Sequence, residues 1–166
     1  KRRSELARVS NLAHLDHMTF ATFYPNRSDV AEDDRSLLRR AFEMARRFAN
    51  RPEGWLLLTG PYGSGKTHLA AAISHEVVSR GAPAIFLVVP YLLDHLRSAF
   101  SPNAEGDFDE RFETVREIPL LVLDDLGAQS ATPWAKEKLF QLLNHRYVAK
   151  LPTVITTNLR LAEFEP

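Results

Sequence analysis

An apolar run, Trp55-Leu56-Leu57-Leu58-Thr59, passes directly into Gly60-Pro61-Tyr62-Gly63-Ser64-Gly65-Lys66-Thr67, and a helical pattern follows to about Arg80. Few arrangements constrain a chain more. The octapeptide matches G-x-x-x-x-G-K-[ST] in full, and its glycines let the backbone curl with N–H groups turned inward around an anion. A continuous apolar run ended by glycine reads as a buried parallel strand. A helix opening just behind it offers free N–H groups and the positive end of its dipole to the same point. The expected unit is strand, phosphate loop, amphipathic helix. Lys66 is placed to reach β- and γ-phosphates and Thr67 to ligate Mg²⁺, while His68 opens the helix beside them. Residues 60–68 are therefore the candidate ATP-binding residues.

The rest of the chain repeats this alternation. Asp33 or Asp34 is expected to cap a helix over 34–50, whose stripe is Leu37, Leu38, Ala41, Phe42, Ala45, Phe48 and Ala49. Later strands are expected over 84–89, 120–123 and 153–157. Helices are expected from Tyr91 to Phe100 behind Pro90, over 107–117, and from Thr132-Pro133 to about Lys150, with a loop over 101–106. Alternating strands and helices predict a three-layer α/β fold, a parallel sheet covered on both faces. Residues 1–30 read as an irregular lead-in or linker, and 31–166 as the core.

Two further elements stand at strand ends, where α/β sheets place ligands. Leu120-Leu121-Val122-Leu123 ends at Asp124-Asp125, 58 residues beyond Lys66. Asp124 is the candidate to hold Mg²⁺ and Asp125 to polarise an attacking water. The fourth strand ends in Thr156-Thr157-Asn158, and the Asn158 amide is the candidate to hold that water against the γ-phosphate.

Together these residues resemble the AAA+ ATPases: Walker A at 60–67, Walker B at 120–125 and a sensor-1 asparagine at 158. Gly60 to Ala70, Leu123-Asp124-Asp125-Leu126-Gly127-Ala128 and Leu151 to Asn158 are similar to the DnaC/IstB-like family. That resemblance implies a P-loop core with the sensor-1 strand between the Walker A and Walker B strands. It also implies ATP and Mg²⁺ as cofactors, an oligomer when ATP is bound, and either a replicative helicase or a transposase as partner. Loading a helicase onto single-stranded DNA is the first function it implies. A transposase helper acting on double-stranded DNA is the second, and a nucleotide-dependent scaffold with negligible turnover the third. The family's arginine finger and sensor-2 arginine are expected beyond residue 160; neither Arg160 nor Arg146 is placed as a finger by sequence. Most AAA+ proteins carry glutamate where this chain has Asp125, so hydrolysis is expected to be slow.

Composition limits the alternatives. Lys plus Arg and Asp plus Glu each number 21, giving zero net charge, and no basic excess marks a charge-driven nucleic-acid binder. Basic groups exceed acids by three over residues 1–53, and the sign reverses beyond. With no cysteine, disulfides and thiolate metal sites are excluded. No apolar run is long enough for a membrane span and no signal peptide opens the chain, so a cytoplasmic protein is expected. The chain opens on Lys1-Arg2-Arg3 without methionine and reads as a piece of a longer polypeptide. Among six histidines only His14 and His17 are closely spaced, which is poor for zinc. Phe20 and Phe23 either pack on an adenine ring or anchor the lead-in. Tyr91, Arg97 and Phe100 either face single-stranded DNA or, for Phe100, join Leu92, Leu93 and Leu96 in a core stripe. The segment 105–117, with six acids and two arginines, would repel a phosphate backbone.

Overall fold

Four strands of five residues each carry the fold: β1 (Trp55–Thr59), β2 (Ala84–Val88), β3 (Leu120–Asp124) and β4 (Thr153–Thr157). In this computed structural model, which describes residues 10–98, 105–127 and 132–159, they form one parallel sheet ordered β1-β4-β3-β2. Thus β4 lies between β1 and β3, the order that the resemblance implies. The helices are α1 (Glu32–Asn50), α2 (Lys66–Ser79), α3 (Val89–Ser98), α4 (Glu105–Glu117) and α5 (Pro133–Val148).

Alternation along the strands divides the core in two. Leu56, Leu58, Phe86, Leu120, Val122 and Val154 face α1, α2 and the lead-in. Ile85, Leu87, Leu121, Leu123 and Ile155 face α3, α4 and α5. Burying side chains of this size stabilises the fold by about 1.5–3 kcal/mol each. Helix α2 is not amphipathic as expected: Leu69 to Ser74 are all buried. It lies between the sheet and a second cover of α1 and lead-in, so it needs apolar or small residues all round.

The first strand differs from expectation. β1 is not a buried run but alternates, with Trp55 and Leu57 about 40% exposed (39% and 42%) while Leu56 and Leu58 are buried. It stands at the sheet edge, and only one of its faces lies under the core; Trp55 meets Tyr147 of α5 edge to face. β2, at the other edge, is met by the lead-in. Phe86 N donates to Ser10 Oγ at 3.1 Å and Val88 N to Asn11 Oδ1 at 3.1 Å. Two side chains thereby occupy backbone donors that an edge strand would otherwise leave unpaired.

The lead-in is more regular than expected, with 3₁₀ turns at Asn11–Leu15 and Phe20–Thr22. Helix α1 starts earlier, at Glu32, and its N-cap Ala31 makes no side-chain bond. Asp33 and Asp34 are not caps but sit in the first turn, favourably placed against the dipole. Leu37, expected on the core stripe, is exposed. β2 gives up Val89, which together with Pro90 opens α3. Helix α3 runs to Ser98 and α4 starts at Glu105, which the expected loop had included. α5 ends at Val148, and its opening is as expected: Thr132 accepts from Ala135 N and Pro133 follows. Phe100, Arg160 and residues 101–104 lie outside the described residues.

Candidate nucleotide-binding site

The loop between β1 and α2 supplies the first wall. Gly65, the N-cap of α2, has φ +91°, a region that side chains disfavour. A Cβ there would come within 2.7 Å of the Phe23 ring, so the lead-in is packed hard against the loop at this point. Lys66 Nζ donates to Pro61 O at 2.7 Å and to Ser64 Oγ at 3.3 Å, which closes the loop around its own lysine. Burial lowers the Lys66 pKa, against which the charges of Asp124 and Asp125 act. Tyr62 stands out at the tip, 78% exposed.

The second wall is the carboxyl edge of β3 and β4. Thr67 Oγ1 donates to both oxygens of Asp124, at 3.0 and 3.1 Å. Thr156 Oγ1 donates to Asp124 Oδ1 at 2.6 Å. Asp124 is buried, and desolvation pushes its carboxyl above the usual range. The two hydroxyl donors and Lys66 oppose that rise, and Asp125 adds to it. Asp125 takes a left-handed backbone, φ +61°, which costs a non-glycine residue about 1 kcal/mol. Its N–H donates to Thr156 Oγ1 at 2.9 Å, and Asn158 Nδ2 donates to its Oδ1 at 3.1 Å. Asn158 Oδ1 is buried with no hydrogen-bond partner among the described residues. The turn after Asp125 is bolted to β4: Leu126 N donates to Thr156 O, and Thr157 Oγ1 to Leu126 O.

Lys66, Thr67, Asp124, Asp125 and Asn158, scattered over 93 positions of sequence (66 to 158), thus meet at one end of the sheet. A hydroxyl and a carboxylate at 3 Å form the all-oxygen donor pair that suits Mg²⁺. Among the described residues no group of three His, Cys, Asp or Glu side chains could hold a metal. Such a pair fits a cation whose other ligands come from phosphates and water.

A groove of about 1270 Å³ opens beside the loop, between the lead-in, α1 and β1. Arg27, Arg40, Leu37, Leu57 and Met44 line it together with the loop. Phe23 lines it too, but its ring stacks on Phe42 (5.6 Å between centroids), and Phe20 meets Phe42 edge on. Both phenylalanines thus pack the lead-in onto α1, and Phe23 also stands beside the loop.

His68 lies in the first turn of α2 beside the loop, and its ring reaches the lead-in, with Nε2 2.8 Å from Thr19 O and 3.2 Å from Thr22 Oγ1. His75, two turns on, reaches Leu15 O at 2.9 Å in the same way. Helical spacing of the two imidazoles was visible in sequence; the segment they hold was not. Arg146 is wholly buried in the base of the sheet. It donates to Arg116 O, Ile118 O, Pro152 O and Thr153 Oγ1 at 2.6 to 3.0 Å. Burial lowers its pKa to about 10, opposed by Glu117, so it stays charged at neutral pH. Its donors are engaged, and it is not presented to a neighbouring molecule. Tyr91 is exposed on α3, as one reading of that helix requires, while Leu93 is buried and Leu92 half-buried, as the other requires.

A family profile, IstB-like ATP binding protein, matches residues 2–166. The replicative helicase loader DnaI of Bacillus subtilis is 32% identical over 104 residues, covering 62% of this chain and 32% of DnaI. An ATP-binding protein of insertion sequence IS1162 from Pseudomonas fluorescens is 34% identical over 104 residues, 63% of this chain and 43% of that one. The matches thus span less than half the length of these two curated relatives. Among solved structures, the DnaC helicase loader superposes with a TM-score of 0.72 at 28% identity, covering 89% of this chain and 80% of that one. AMPPCP-bound DnaA from Aquifex aeolicus, 19% identical, superposes equally well (0.72, over 90% of this chain and 44% of that one) and so shares the fold. With its phosphate loop, its strand order and a profile match along nearly the whole chain, this protein belongs to the AAA+ family of IstB-like ATP-binding proteins.

Proposed function

We propose that the chain binds ATP with Mg²⁺ on the 60–67 loop and hydrolyses it slowly, so that nucleotide state governs a DNA-handling partner. The observation that carries this reading is the contact of Thr67 with Asp124, which joins the phosphate loop to the neighbouring strand end. Backbone N–H groups of the loop and the α2 N-terminus bind the phosphates, and Lys66 exchanges Pro61 O for a phosphate oxygen. Thr67 and Asp124 hold the cation, which neutralises charge on the transferred phosphoryl group. Asp125 accepts a proton from the attacking water, and Asn158 Oδ1, which has no partner among the described residues, accepts its second hydrogen. An arginine from a neighbouring subunit completes the site in the ATP-bound oligomer.

Lys66→Ala is expected to weaken ATP binding at least about 100-fold in calorimetry. Asp125→Asn is expected to keep binding within a few-fold and abolish turnover. ATP binding by Lys66→Ala at wild-type affinity would overturn the proposal.

For the partner, helicase loading onto single-stranded DNA is the first reading, supported by the likeness to the DnaC structure. The IstB-like profile and the IS1162 relative support transposase assistance as the second. Capture in ATP of a replicative helicase, against capture of a transposase with double-stranded DNA, separates the two.

A further inference from the structure

Thr156 sits where three features of the site cross, yet sequence gave it no task beyond its place in a strand. It is 1% exposed on β4, on the same sheet face as Val154 and hence toward α2 and Thr67. A hydroxyl has one hydrogen to donate and two lone pairs to accept with. The Asp125 N–H can only donate, and it points at Thr156 Oγ1 from 2.9 Å. One lone pair is thereby taken, and the single hydroxyl hydrogen is directed to Asp124 Oδ1 at 2.6 Å. Thr156 therefore touches both acids at once, one through its carboxylate and the other through its backbone.

Both contacts constrain something that would otherwise move. A carboxylate on a strand end has a broad, two-fold χ2 torsion, and the bond to Oδ1 fixes how Asp124 presents its two oxygens. The left-handed backbone of Asp125 is held by its N–H on Thr156 and by its side chain on Asn158. Strain of that kind persists only where the surroundings over-determine it. Valine in place of Thr156 would keep the volume and the strand, and would leave both acids without this partner.

We propose that Thr156 is a positioning residue of the nucleotide site, whose hydroxyl sets the orientation of Asp124 toward the cation and locks Asp125 in its left-handed turn. The proposal rests on the ATP·Mg²⁺ reading given above for the catalytic part of its effect; the lock on Asp125 exists without nucleotide.

The test compares Thr156→Val and Thr156→Ser in the full chain. In nucleotide-free protein, the Asp125 amide of the Val variant is expected to lose hydrogen-exchange protection by about tenfold or more, while neighbouring β4 amides and Ser-variant amides keep theirs. The Val variant is expected to bind ATP within a few-fold of wild type without Mg²⁺, to need more Mg²⁺ for half-maximal turnover, and to lose about 10–100-fold in kcat with KM little changed. The Ser variant restores all of these. Wild-type Asp125 protection and Mg²⁺ demand in the Val variant, or a Ser variant as impaired as Val, would overturn the proposal. Should Val prevent folding, as judged by circular dichroism, Thr156→Ala is measured against Ser with the same expectations. If wild type binds no ATP, the ATP reading falls, and the exchange measurement still decides the lock on Asp125.

Discussion

Asp124 is a carboxylate placed in a buried strand end, where the site needs its charge and the fold does not. Desolvation raises its pKa despite two hydroxyl donors and a nearby lysine. The folded carboxyl thus keeps its proton to higher pH than the unfolded one. Between the ordinary value of 3.8 and the raised folded value, the native state binds the extra proton. Native stability therefore falls as pH rises through that window. Asp124→Asn, studied without nucleotide or Mg²⁺, is expected to raise the melting temperature at neutral pH and to flatten that dependence, while losing Mg²⁺-dependent turnover. Calorimetric melts of both proteins between about pH 4 and 7 check the sign. Lower neutral-pH stability in Asn would mean that the hydroxyl bonds outweigh the desolvation. At this scale sequence placed Asp124, Asp125 and Asn158 at strand ends, and the structure brings the three to one end of the sheet. It left Thr156 without a role, because a threonine in a strand has the same pattern whether it packs or donates.

Elements are joined at the opposite end of the sheet by Arg146. From α5 it binds carbonyls at the end of α4, at Ile118 ahead of β3 and at Pro152 ahead of β4. It fills the gap between three elements with a cation whose planar fork matches their unpaired acceptors. Arg146→Met would keep the length and strand those carbonyls away from water. The expected loss is about 3 kcal/mol or more, read from the urea midpoint, with ATP affinity of the folded fraction unchanged. Sequence offered Arg146 only as an arginine on a helix that it did not place as a finger. The lead-in is a similar case. Its apolar residues were visible, but its attachment through His68, His75, Ser10 and Asn11 required knowing that α2 and β2 pass beside it.

At the scale of the whole molecule, the two sheet ends divide the work: structural polar groups at the base, candidate chemistry at the carboxyl edge. Arg146 is committed to the base, and if a neighbouring subunit supplies the arginine, as proposed above, turnover is expected to depend on assembly. Sedimentation velocity is expected to show self-association with ATP and none with Lys66→Ala, and specific activity is expected to rise with protein concentration. Activity independent of concentration would speak for a site complete within one chain. No helix among the described residues is long and apolar enough to cross a membrane.

Sequence by itself determined the elements, the phosphate loop and the parallel class of sheet, since periodicity, glycine placement and strand–helix alternation are local properties written in consecutive residues. The family likeness added the strand order, which spacing does not encode. Tertiary structure alone decided which hydroxyl meets which carboxylate, that β1 is an edge strand with one open face, and that Arg146 is sealed inside. Those outcomes depend on partners far apart in sequence, and a buried polar group is defined by the distant atoms that satisfy it rather than by its neighbours along the chain.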